Sequence, residues 1–166
     1  MTGRERVTGL DVSYGEGTSR AVAAAVTLEL ATLEVVEVAL FDGEPDFPYV
    51  PGSLALREAP LLLRALEKLK TEPEVLVCDG YGVAHPDRFG LACHVGRESG
   101  LPTFGVAKTP FLARFSELGP ERGAWSDLVM GEGEIVGRAL RTQTGVKPVF
   151  VSVGQAITLD EATKLT

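Results

Sequence analysis

One acid stands where an apolar run stops abruptly, and a second lies inside another such run. Val75-Leu76-Val77-Cys78 ends on Asp79 and opens into the glycine-rich turn Gly80-Tyr81-Gly82, and Val7-Thr8-Gly9-Leu10 leads to Asp11. An acid at the C-terminal end of a buried strand is where an α/β sheet places its chemistry. Two carboxylates held side by side repel, and both stay ionised at low cost only with a cation between them. Oxygen ligands completed by water suit a hard divalent ion, so the pair points to Mg²⁺, with Mn²⁺ as a substitute. Such an ion activates water and stabilises charge on a phosphoryl group. Either acid alone is adequately explained as the cap of a turn or helix. Paired on adjacent strands, Asp11 and Asp79 read as a metal site.

The elements that must hold this pair follow from the hydrophobic pattern. Residues 7–14, 21–30 and 33–41 are rich in Val, Leu and Ala and are separated by turn-like Gly15-Glu16-Gly17 and Ala31-Thr32, which predicts three sequential antiparallel strands. A Pro- and Gly-rich loop over 43–52 precedes a helical pattern over 59–70. There Pro60 takes the tolerated first-turn position, Leu61, Leu62, Ala65, Leu66 and Leu69 share one face, and Glu58 lies at the helix entrance. A strand over 75–78, a helix over 88–99, a strand over 102–106 and strands over 135–141 and 149–152 follow. Three strands and then alternating helix and strand predict an α/β fold, a mixed central sheet with flanking helices. In it the strand ending at Asp79 lies parallel to a neighbour reached by a crossover helix. If that neighbour is the first strand, Asp11 and Asp79 meet.

Composition narrows the class. The 166 residues and 17.6 kDa predict one domain, residues 1–166, with enough chain for a sizeable core. A net charge of -7 argues against a protein that coats nucleic acid through a broad basic surface, although Arg88, Lys108, Arg138, Arg141 and Lys147 could supply a local patch or simply a solvated face. Cys78 and Cys93 lack a CxxC spacing and read as reduced, packed thiols. No apolar run reaches the roughly 18 residues of a membrane span, and the start of the chain leads straight into a strand, so no membrane partner and a cytoplasmic location are expected.

Five segments then carry a family resemblance. Gly9-Leu10-Asp11-Val12-Ser13-Tyr14, the stretch from Pro48-Tyr49-Val50-Pro51-Gly52 to Arg57-Glu58, Asp79-Gly80-Tyr81-Gly82-Val83-Ala84-His85-Pro86, Gly105-Val106-Ala107-Lys108 and Val151-Ser152-Val153-Gly154 closely resemble the endonuclease V family, in its order and over nearly the whole chain. The resemblance implies a ribonuclease H-like fold and a Mg²⁺-dependent repair endonuclease. Such an enzyme nicks a strand 3′ to a deaminated purine, chiefly inosine or hypoxanthine; the expected partner is nucleic acid that contains one, DNA ahead of RNA, with the preference left open by the sequence. It matches Asp11 and Asp79 to the metal-holding acids, Glu58 to a third acid nearby and Lys108 to a lysine beside the scissile phosphate.

Bland readings stand beside these: Glu58 as an acid favoured by a helix N-terminus, Lys108 as an ordinary surface lysine. Tyr49, Pro51 and Gly52 match a rigid wedge that fills the gap left by an extruded lesion, or else only a stiff loop. Gly80 and Gly82 would let backbone approach the extruded base, and His85 is expected to order the turn by a hydrogen bond. The chain departs from the family at Tyr81, Asp87 and Gln155, and it resembles a short form without the usual N- and C-terminal extensions. Those departures leave a second reading from another class, a relative that binds inosine-containing nucleic acid without cutting it.

Overall fold

The computed structural model describes residues 3–45 and 54–166. Its elements run β1 (Arg6–Tyr14), β2 (Ala21–Glu29), β3 (Val35–Gly43), α1 (Leu54–Glu67), β4 (Leu76–Asp79), α2 (Leu91–Ser99), β5 (Thr103–Ala107), β6 (Trp125–Met130), β7 (Glu134–Leu140), β8 (Val149–Gln155) and α3 (Leu159–Leu165). The strands form one sheet in the order β3-β2-β1-β4-β5-β8-β7-β6. β1, β2 and β3 are an antiparallel meander, β4 is parallel to both β1 and β5, and β8, β7 and β6 return antiparallel. The predicted mixed sheet is present, and the neighbour of β4 is β1.

Alternation along the strands sorts side chains onto two faces. Leu10 and Val12 of β1, Ala21, Ala23 and Ala25 of β2, and Leu76 and Cys78 of β4 pack against Ala55, Ala59, Leu62 and Ala65 of α1 and Leu91, Ala92 and Val95 of α2. The alanines on β2 leave room for α1 to lie close to the sheet. On the opposite face Val7, Val75, Phe104, Leu140 and Val151 gather with Ala162 of α3. A third cluster, with Leu128, Val136, Ala139 and Phe150, lies at the β6–β7–β8 end and reaches Ala84 and Ala107 beside the β4–α2 turn. Among the described residues no helix is long and apolar enough to cross a membrane.

The sequence reading needs correction at several places. α1 begins at Leu54, so Pro60 lies inside the helix and Glu58 sits in its second turn rather than at its entrance. The apolar stripe continues N-terminally through Ala55 and Ala59, and their burial holds the earlier turn. Pro60 is on the solvent side, where the backbone carbonyl that loses its donor can bind water. β3 starts at Val35, because Leu33 adopts a positive φ of 61° in the turn before it. α2 starts at Leu91, after Arg88 with φ 56° and the N-cap Gly90.

Two elements were not expected. β6 is an edge strand of mixed composition, Trp-Ser-Asp-Leu-Val-Met. α3 is a short helix whose N-cap Thr158 accepts a hydrogen bond from the Glu161 N–H at 3.1 Å. Its Thr158-x-x-Glu161 spacing is a helix-start signature that the sequence does carry.

Candidate active site

The parallel register aligns Leu10 with Cys78, which puts Asp11 and Asp79 one residue further along on neighbouring strands. Both point away from the face buried under α1 and α2, at the C-terminal end of β4, and both are exposed. Asp11 Oδ1 accepts a hydrogen bond from the Val12 N–H at 2.9 Å. On the other side of β4, Asp79 pairs in register with Val106 of β5, and the chain leaves β5 directly into Lys108. Lys108 Nζ lies 3.9 Å from Asp79 Oδ2, and its side chain is 85% exposed. A pair this open is screened by water, so the ammonium is available to a phosphate.

Glu58 comes to the same place from α1. It is only 7% exposed. One of its oxygens, Oε2, accepts a hydrogen bond from the Tyr14 hydroxyl at 2.8 Å. Burial pushes the Glu58 carboxyl above the ordinary glutamate range; the Tyr14 hydrogen bond opposes this, and the charges of Asp11 and Asp79 add to it. Tyr14 is in turn pushed up to about 12, chiefly by burial and then by its bond to Glu58. The Arg57 guanidinium lies over the Tyr14 ring, 4.7 Å from its centroid.

Asp11, Glu58, Asp79 and Lys108 line one cleft of about 310 Å³, together with Val12, Gly80, Tyr81, Ala107 and Thr109. Among the described residues no three acids, histidines or cysteines form a ready-made metal cage. The donors present are nonetheless hard oxygen ligands that feel one another's charge, a set that fits a cation which keeps several of its waters. No thiol competes, because Cys78 and Cys93 are buried and free.

The glycine-rich turn is the floor of this cleft. Gly80 lines it, its N–H bonded to the Val106 carbonyl at 3.1 Å. Gly82 faces the other way: its N–H donates to Ser152 Oγ at 2.8 Å, and a Cβ on it would fall 2.0 Å from the Val153 carbonyl oxygen. In this structure the bare face of Gly82 therefore serves packing of the turn against β8. His85 accepts from the Asp87 N–H through Nδ1 at 3.1 Å and stacks near Phe111, and Tyr81 meets the same ring edge-on. The Tyr81 hydroxyl shares a hydrogen bond with Thr109 Oγ1 at 2.5 Å, next to Lys108. Tyr49, Pro51 and Gly52 fall outside the described residues.

The suggested basic patch does not gather here. Arg138 is paired with Asp160 at 2.7 Å and lies over Trp125, Arg141 binds the carbonyls of Gly119 and Val146, and Arg88 clasps Glu134 with two hydrogen bonds of 2.9 Å. Two residues in the resembling segments carry contacts that the sequence pattern does not announce. Tyr14 has the same parity on β1 as Val12, which turns it toward α1, and Ser152 is a hydroxyl within the apolar run Val149 to Val153, only 1% exposed.

A mixed sheet in this order, with acids on adjacent parallel strands and a third acid on the helix that leads into the second of them, defines a protein of the ribonuclease H-like class. The endonuclease V family profile matches residues 2–166. Endonuclease V of Streptomyces avermitilis is 58% identical over 160 residues, which is 96% of this chain and 69% of that protein. A crystal structure of the Streptomyces avermitilis endonuclease V superimposes with a TM-score of 0.93 at 55% identity, over 99% of this chain and 72% of the other. Ciona intestinalis endonuclease V, solved in complex with a 24mer DNA containing an inosine followed by a ribo-adenosine, has a TM-score of 0.84 at 28% identity, over 99% of this chain and 77% of the other. The chain belongs to the endonuclease V family, and with it to the nucleases.

Proposed function

We propose that this chain is a Mg²⁺-dependent endonuclease, with Mn²⁺ as a substitute, that hydrolyses a phosphodiester 3′ to a deaminated purine. The proposed strand is DNA rather than RNA, and the proposed place is the cytoplasm. The observation that carries this reading is the shared cleft of Asp11, Glu58, Asp79 and Lys108. The inosine-containing DNA held by the Ciona intestinalis relative supports the choice of substrate.

Asp11, from within β1, and Asp79, at the end of β4, would hold the ion, and Glu58 stands behind them from α1. Bound there, a divalent cation would supply Lewis acidity toward the phosphate and a lowered pKa for water. Lys108 offers its ammonium to a non-bridging phosphate oxygen, as a point charge on a flexible stem. The turn from Gly80 to His85 fixes the floor against β8 and the segment after β5, so that Asp79 and Lys108 keep their separation. Reading of the lesion is assigned to Tyr49, Pro51 and Gly52 on their sequence alone, Pro48-Tyr49-Val50-Pro51-Gly52, in which an aromatic flanked by prolines suits filling a gap in the stack. Unstacking costs a few kcal/mol and least at a damaged base, which itself favours the lesion.

A strand-nicking assay tests this on DNA and RNA strands that carry one inosine or a guanine in its place, with Mg²⁺, Mn²⁺ or chelator. Inosine-directed, metal-dependent nicking is expected on DNA, and Asp79→Ala should slow it at least about a hundredfold. The Asp79 side chain is 47% exposed, so that variant should keep its fold. Binding to inosine without nicking would replace the nuclease reading with that of a lesion-binding relative.

A further inference from the structure

Glu58 faces a conflict that the rest of the cleft does not share. Asp11 and Asp79 are exposed acids that water can solvate, whereas Glu58 is buried on a helix with both of them nearby. A glutamate has three rotatable bonds, and one repelled by two acids has reason to swing away from them. The structure shows what restrains it: the Tyr14 hydroxyl, 2.8 Å from Oε2. A hydroxyl that donates to one carboxylate oxygen leaves the other oxygen to a cation or its water.

Tyr14 is itself held. It is the last residue of β1, three beyond Asp11, and stays in register opposite Ala21 of β2. The Arg57 guanidinium covers its ring at 4.7 Å, and Arg57 Nε is buried without a hydrogen-bond partner among the described residues, so stacking on the ring helps to locate that arginine. Strand β1 thus supplies one acid directly through Asp11, and through Tyr14 it orients a second acid that belongs to α1.

We infer that Tyr14 is a positioning residue of the metal site, its hydroxyl holding Glu58 so that the free carboxylate oxygen faces Asp11 and Asp79. The inference rests on the metal-dependent reading above. Partners of this kind, which touch a ligand and not the ion, change metal affinity or activity by ten- to a hundredfold in other metalloproteins.

The test is Mn²⁺ affinity of the protein without nucleic acid, read from the electron paramagnetic resonance signal of free Mn²⁺, in the wild type, Tyr14→Phe, Glu58→Gln and the double variant. Phenylalanine keeps the ring under Arg57 and removes only the hydroxyl. Tyr14→Phe should bind Mn²⁺ about tenfold more weakly, lower kcat for nicking with KM for the strand unchanged, and add nothing further in the Glu58→Gln background. Unchanged Mn²⁺ affinity, or a full additional loss in the double variant, overturns the assignment, and a lowered Tm alone marks a merely structural tyrosine. If the wild type binds Mn²⁺ but nicks without regard to inosine, the substrate reading fails while the role of Tyr14 is still read from the affinities. If the wild type binds no Mn²⁺, both fall together.

Discussion

Glu58 is where folding and chemistry pull in opposite directions. Its folded pKa lies above the unfolded value, first because of burial and then because of Asp11 and Asp79, so the folded chain holds the proton more tightly than the unfolded chain does. Stability from this group is therefore fully present below the unfolded carboxylate pKa of about 4.3 and is lost as pH rises through the raised folded value. Without metal, Glu58→Gln should raise Tm by a few °C near pH 7, and the gain should close as pH falls below about 4. With saturating Mn²⁺ the order should reverse, because the wild type gains stability from an ion it binds only when folded. Thermal melts across pH, with and without Mn²⁺, check both halves. At this scale Asp11 and Asp79 were legible because an acid inside or ending an apolar run is a pattern of neighbours in the chain. The partnership of Tyr14 with Glu58 was not, because it joins residues 44 positions apart and depends on how a helix faces a strand.

At the scale of elements, the turn between β4 and α2 is set by backbone packed on backbone. A Cβ at Gly82 would fall 2.0 Å from the Val153 carbonyl oxygen, and one at Gly105 would fall 2.4 Å from the Gly80 carbonyl oxygen. Neither neighbour is a flexible side-chain end that could step aside. Gly82→Ala should therefore cost about 3 kcal/mol in urea unfolding, at the upper end of ordinary overpacking, and should displace Asp79 with the turn. The sequence marked this segment as special through its glycines and suggested approach to a base. The partner that the structure shows for Gly82 is β8, which is 70 residues away in the chain and cannot be read from local spacing. The start of α1 was misjudged for a similar reason. Pro60 is a strong local signal for a first turn, and burial of Ala55 and Ala59 against the sheet overrides it.

At the scale of the whole molecule, a mixed sheet followed from three strands succeeded by alternating helix and strand, whereas the pairing of β4 with β1 rather than β3 is a tertiary choice that the succession leaves open. The edge strand β6 and the helix α3 did not follow either, because mixed composition and a seven-residue length give periodicity little to act on. The charge reading has a measurable consequence. The chain carries -7, Arg88, Arg138 and Arg141 are engaged within the protein, and Lys108 is the cation among the residues lining the cleft. Few phosphates can then be neutralised, so the salt slope of binding to lesion-free DNA should be shallow. A plot of log Kobs against log salt should fall with a slope smaller in magnitude than about 4, and a slope of about 8 would mean that basic residues beyond the cleft contact phosphates.

The stacking of Arg138 on Trp125 reaches beyond electrostatics. Trp125 is the one indole in the sequence, on the edge strand β6, and the arginine over its ring, 4.2 Å from the centroid, also binds Asp160 and Thr163 of α3. Docking of α3 is thereby written into the intrinsic fluorescence of a single residue. Because β6 lies at the opposite end of the strand order from β2 and β1, that emission reports assembly of the C-terminal layer separately from events at the acids. The protein carries its own optical probe for whether its last helix is in place.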